Sequence, residues 1–237
     1  MKVIPLVFSL IIAITFSTKA QAPKNIDSKQ FAELSATNEG VILDVRTPGE
    51  YSRGHIEGST LIDVSNRNFV DKVSLLQKDK PIYIYCLTGS RSQAVANFLS
   101  QNGYSKIYNL TYGIIEWQRY GFPIVQSSVP VASANKTFHT AEFNQLIGSK
   151  EVVLISFHAP WCAPCKKLSP IIDRLRNDYN GKAVIEKIDI EANSALKNTY
   201  SIQSIPGLVL FKNGKEIWRH TGLISFEQLN QQINNQL

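Results

Sequence analysis

Cysteine is scarce in this chain, three among 237 residues, and two of the three stand close together at positions 162 and 165. So few thiols cannot staple a scaffold, and they are read as chemical groups rather than structural cross-links. No second CxxC and no paired histidines accompany them, so a zinc ribbon or finger is excluded, and neither a metal nor an organic cofactor is expected. An excess of one charge is lacking too. The formal net charge of +6 falls to +4 when Lys2 and Lys19 are set aside, and the remaining basic residues are scattered among acidic ones. A nucleic-acid partner is therefore not expected. Low-complexity tracts are absent: 43% hydrophobic and 19% charged residues are the proportions of an ordinary globular protein.

The one long apolar run, Val3 to Phe16, falls short of the roughly 20 residues a membrane span needs. With Lys2 before it and the small residues Thr18 and Ala20 after it, residues 1–20 read as a secretory signal peptide. The chain is accordingly expected to be exported to the periplasm or cell envelope, with no stable membrane anchor once the signal is cleaved. The remaining length suits two domains of about 100 residues each. The small, polar stretch 127–137, with Pro130 inside it, reads as the linker between a domain at 21–126 and another at 138–237.

Each half holds a strand-to-helix site with a cysteine, although no repeat links the two halves. Asp27 with Gln30 three residues later marks a helix start carrying Phe31 and Leu34. Val41 to Val45 and Pro81 to Tyr85 are near-continuous apolar runs, as expected of parallel strands covered on both faces. The second run empties into Cys86-Leu87-Thr88-Gly89-Ser90-Arg91, after which Ser92 to Gln101 reads as a helix. In the second half a strand over 152–157 meets Trp161-Cys162-Ala163-Pro164-Cys165, and a helix follows with Leu168, Ile171, Ile172 and Leu175 on one face. Strands near 184–190 and 208–211, a turn at 212–215 and a last helix through Phe226, Leu229 and Ile233 complete an α/β pattern.

A cysteine between a buried strand and a helix start lies where backbone N–H groups and the positive helix end favour a thiolate. Gly89 lets the loop curl, and Arg91 places a positive charge at its rim. From Asn25 to Val125 the sequence resembles the rhodanese family, on Asp44-Val45-Arg46 with Glu50-Tyr51, on Gly54-His55-Ile56-Glu57-Gly58, on Cys86 to Arg91, and on Asn109-Leu110, Gly113-Ile114 and Trp117. The resemblance implies a parallel-sheet domain in which Cys86 takes a sulfane sulfur as a persulfide and passes it to a thiol or cyanide. Arg91 would steer the donor, and Leu87, Thr88, Gly89 and Ser90 would form the binding loop. Asp44, Arg46 and His55 read as structural. The sequence departs from the family at Leu87, where a basic residue is common, and at Tyr112, where glycine is usual.

From Phe138 to Leu237 the sequence resembles thioredoxin, on Trp161 to Lys166, Pro170, Ile205-Pro206 and Phe211 to Gly214. That resemblance implies a thioredoxin-fold domain with Cys162 as the exposed nucleophile and Cys165 as the resolving thiol of a redox disulfide. Trp161 and Pro206 would contact the substrate. Ser156 stands where the family usually buries an aspartate, and Lys187 where that acid's lysine partner lies.

The expected function is a thiol–disulfide oxidoreductase joined to sulfurtransferase chemistry at Cys86. Its partners would be a sulfane-sulfur donor and thiol or disulfide clients, either proteins or small molecules. The alternative is a thioredoxin-type oxidoreductase whose rhodanese half is a non-catalytic docking module.

Overall fold

The computed structural model describes residues 21–37, 39–126 and 136–237. The segment read as a signal peptide and nearly all of the expected linker lie outside the described residues.

The first half builds a five-stranded parallel sheet. Its elements run β1 (Lys24–Ile26), α1 (Ser28–Ser35), β2 (Val41–Asp44), α2 (Pro48–Arg53), β3 (Thr60–Leu61), α3 (Phe69–Val73), β4 (Ile82–Tyr85), α4 (Ser90–Gln101), β5 (Ile107–Leu110) and α5 (Gly113–Arg119). Strand order is β1-β5-β4-β2-β3, with every pairing parallel. β4 is central and buried at all four residues, which is why it reads as an unbroken apolar run rather than an alternating one. Asp27 caps α1 by accepting from the Gln30 amide at 2.9 Å. Thr47 and Glu50 cap α2 reciprocally, with Pro48 in its first turn.

The second half runs α6 (Thr140–Ile147), β6 (Val152–His158), α7 (Ala163–Asp178), β7 (Val184–Asp189), α8 (Ser194–Thr199), β8 (Gly207–Lys212), β9 (Lys215–Thr221) and α9 (Phe226–Asn234). Its sheet has the order β7-β6-β8-β9. β6 and β7 are parallel, while β8 and β9 are antiparallel additions. Asn213 and Gly214, both at positive φ, make the turn between β8 and β9.

Apolar side chains gather on both faces of each sheet. Phe31, Tyr85, Leu110 and Trp117 lie under α1 and α5, and Leu168, Ile172, Leu229 and Ile233 lie under α7 and α9. The largest cluster joins the halves, running from Leu43, Ile84 and Leu99 through Leu75 and Leu76 to Trp161, Ile205 and Phe143. The two sheets are thus packed through one shared core at the edge where α3 leads back toward β4.

Candidate functional site: two cysteine loops

Cys86 follows β4 and its residue is fully buried. The Gly89 amide donates to its Sγ at 3.2 Å and the Ser92 hydroxyl at 3.5 Å. Burial raises the thiol pKa, but the Ser92 hydroxyl and the amides of Ser92, Thr88 and Gly89 outweigh it, and the net direction is down. The curl depends on two glycines. Gly89 has φ +96° and Gly113 has φ +65°. A Cβ on the first would collide with the Thr111 carbonyl, and one on the second with the Leu87 and Cys86 carbonyls. Tyr112, at φ −111° and exposed, needs no glycine, so that departure from the family pattern leaves the backbone undisturbed.

Arg91 sits at the loop rim as expected, yet its charge is engaged. Its two terminal nitrogens grip Glu50 at 2.9 and 2.6 Å, and this fork holds the Glu50 carboxyl down at about 2. A cleft of about 220 Å³ in front of the loop is lined by Arg46, Glu50, Arg53, Leu87, Ile114 and Gln118. Arg46 is committed to Asp44, donating through Nε and the guanidinium nitrogen at 2.6–3.0 Å. His55 donates through Nδ1 to the Tyr51 carbonyl at 3.0 Å and stacks on the Tyr51 ring. Arg53 lines the same cleft and makes no ion pair among the described residues, while Arg91, though gripped by Glu50, still feels the Cys86 sulfur.

Cys162 caps α7 and is joined to Cys165 in a disulfide, with the Cys165 amide donating to Cys162 Sγ at 3.2 Å. Ile205-Pro206 is a cis peptide. Ser156 is buried and lies across from Lys187 in the β6–β7 register. Lys187 does not await an acid at that position: its ammonium donates to Ser169 and Asp173, each at 2.9 Å. Ser156, His158, Cys165, Lys166, Ser169 and Lys187 surround a cavity of about 210 Å³. Burial lowers the His158 pKa, Lys187 lowers it further and Asp189 opposes them, so its ring is neutral near pH 7. Introducing Ser156→Asp should speed release of the mixed disulfide several-fold near neutral pH, because it sets a carboxylate in the cavity that Cys165 also lines, where it can take the resolving thiol's proton. Stopped-flow decay of a Cys162 mixed disulfide measures this; an unaltered or slower rate in a folded variant would rule it out.

One expectation is corrected: Cys162 is not exposed. It keeps 3% of its surface, and Trp161 keeps 6%, because the first domain covers them. The Ala163 amide donates to Thr60 Oγ1 at 3.1 Å, and the Ile205 amide to the Leu75 carbonyl at 3.1 Å. Lys72 pairs with Glu191 at 2.9 Å and lies 5.7 Å from the Trp161 ring centre. The Trp161 indole N–H is buried and has no hydrogen-bond partner among the described residues. The two cysteine loops border separate clefts: the one beside the Cys86 loop, reached through Leu87, is lined by first-domain residues alone, while Cys162 lines a cleft at the junction. β4, which leads into Cys86, lies two strand positions from β3, roughly 10 Å across the sheet.

The fold and these loops define an α/β protein with two thiol centres, one in a parallel-sheet domain and one in a mixed-sheet domain. Residues 27–120 match the rhodanese-like domain model, and residues 134–235 match the thioredoxin model. The thioredoxin of Chlorobaculum thiosulfatiphilum is 33% identical over 107 residues, which is 44% of this chain and 99% of that protein. The thioredoxin of Buchnera aphidicola subsp. Baizongia pistaciae is 39% identical over 89 residues, 38% of this chain and 82% of that protein. The Haemophilus influenzae thioredoxin is 34% identical over 98 residues, covering 41% and 92% respectively. The chain belongs to the thioredoxin family through its second domain, which follows a rhodanese-like domain. Thiol–disulfide oxidoreduction is the activity class this membership supports.

Proposed function

We propose that this chain is an exported thiol–disulfide oxidoreductase that also handles sulfane sulfur at Cys86, working in the periplasm or cell envelope. The observation that carries the sulfur chemistry is the aim of the Gly89 amide and the Ser92 hydroxyl at a buried Cys86 sulfur. Such donors stabilise a thiolate and, after transfer, a persulfide anion. The Cys86 thiolate attacks the outer sulfur of a donor, the donor's S–S bond breaks, and the remainder leaves with the electron pair. An acceptor thiolate then takes the outer sulfur and restores the Cys86 thiolate. In the second domain the Cys162 thiolate attacks a client disulfide and expels one client thiolate. Cys165 then closes the Cys162–Cys165 bond and releases the other, so two electrons pass to the client. The export reading rests on the apolar segment from Val3 to Phe16; among the described residues no helix is long and apolar enough to cross a membrane.

A second reading has its own support. The first domain seats Thr60 against the CxxC loop and Leu75 against Ile205 before the cis-proline, as a docking module would. Intact-mass measurement separates the two: treatment with thiosulfate should add the mass of one sulfur atom to Cys86. A chain that gains no sulfur there would leave only the docking role.

A further inference from the structure

The backbone amide before Pro206 is a hydrogen-bond donor placed beside the Cys162–Cys165 loop, where an extended substrate strand could pair with it. An added strand gains its affinity from such main-chain bonds. In this chain the donor is already taken by the Leu75 carbonyl at 3.1 Å. The amide of Ala163, which opens α7 beside Cys162, is likewise taken by Thr60 at 3.1 Å. Lys72 and Glu191 pair across the same junction at 2.9 Å, and Leu75, Leu76, Trp161 and Ile205 belong to one apolar cluster. The first domain thus occupies the ground on which a protein client would lie.

What remains open to Cys162 is a cleft of about 220 Å³. That is smaller than the roughly 300–1,000 Å³ of sites for drug-sized molecules. Its walls come from both domains: Glu39, Gln77 and Lys80 on one side, Pro164, His220 and Leu223 on the other. Glu39 and Lys80 bring both signs of charge to it, matching the ammonium and carboxylate of an amino acid.

We propose that the docked first domain makes Cys162 selective for low-molecular-weight disulfides of amino-acid size, which enter by the junction cleft, and that folded protein disulfides react only after the domains part. The proposal rests on the reading of Cys162 and Cys165 as a reducing pair. The reaction balances with the chain's own dithiol as reductant: the Cys162 thiolate attacks one sulfur of the small disulfide and expels a thiolate. Cys165 displaces the second, leaving two small thiols and the Cys162–Cys165 bond.

Two measurements test it on the full chain, reduced beforehand. In the first, Cys162 is alkylated with N-ethylmaleimide or with a maleimide carrying a long polyethylene glycol, and peptide mapping separates Cys162 from Cys86. The bulky reagent should react with Cys162 at least tenfold more slowly than the small one, and equal rates would overturn the proposal. In the second, single-turnover oxidation of the dithiol is followed with cystine and with insulin, in the wild type and in Lys72→Glu and Leu75→Glu, which set a carboxylate against Glu191 or into the apolar seam. Insulin should act at least threefold faster on each variant while the cystine rate changes less than twofold, and Lys72→Glu with Glu191→Lys should return to the wild-type insulin rate. An insulin rate the same in the wild type and both variants would overturn the proposal. If neither disulfide oxidises the dithiol, it is the reading of the pair as a reductant that fails.

Discussion

Cys162→Ser should abolish disulfide reduction, lowering the rate by on the order of 10³ or more, the scale of loss when a covalent nucleophile is removed. The reason is positional. Cys162 is the cap of α7, where its sulfur receives the Cys165 amide at 3.2 Å and lines a cleft at the junction, whereas Cys165 is turned toward the cavity it shares with Ser156 and His158. Attack must therefore begin at Cys162. Cys165→Ser should behave differently: it should still attack once and then stall, giving one equivalent of released client thiol and a stable mixed disulfide. Release of free thiol from cystine, followed with a chromogenic disulfide-exchange reagent, distinguishes the two variants. If Cys162→Ser keeps a tenth of the wild-type rate, the assignment of the nucleophile is wrong.

The second large effect belongs to the other loop. Cys86→Ser should eliminate thiocyanate formation from thiosulfate and cyanide, while the Cys162–Cys165 pair keeps reducing cystine at an unchanged rate. The hydrogen-bond donors around the sulfur also fix a pH dependence. Because the pKa of Cys86 is lowered, the thiolate forms at lower pH than it would without these contacts, and sulfur uptake should level off at correspondingly lower pH. Ser92→Ala removes the largest of the stabilising contacts. It should move that plateau to higher pH while leaving the uptake rate well above it little altered. A profile that stays in place would show that the Ser92 hydroxyl does not set the ionisation.

The two cysteine loops were legible in the sequence because each hangs on strong local signals: a buried apolar strand, a turn fixed by glycine or proline, and a periodic helix. β4 with its six-residue loop, and β6 with the CxxC, are of this kind. Short or exposed elements were not. β3 has two residues and β1 three, too few to show a period, and β9 is an edge strand with no buried residue. α2 could have been read from Thr47, Pro48 and Glu50, whose capping signature stands plainly in the sequence. Glu50's grip on Arg91, 41 residues away, could not be read, since it exists only after the sheet has formed. The same holds for Thr60 and Leu75. Nothing in their neighbourhood distinguishes them from other core residues, and their contact with the second domain is a product of tertiary packing. Covering of Cys162 was for that reason invisible in a motif that elsewhere signals an accessible thiol.

The indole N–H of Trp161, buried without a partner among the described residues, bears on how firmly the two domains hold together. A buried polar group left without a partner costs about 1–3 kcal/mol, and that penalty vanishes when water reaches the ring. It offsets much of what the two interdomain hydrogen bonds contribute, each worth about 0.5–1.5 kcal/mol net. The docked arrangement is held chiefly by the apolar seam around Leu75, Leu76 and Ile205, whose strength depends on temperature and solvent in a way an ion pair does not. Cooling or mild urea should therefore enlarge the parted population long before either domain unfolds, while added salt weakens only the Lys72–Glu191 pair.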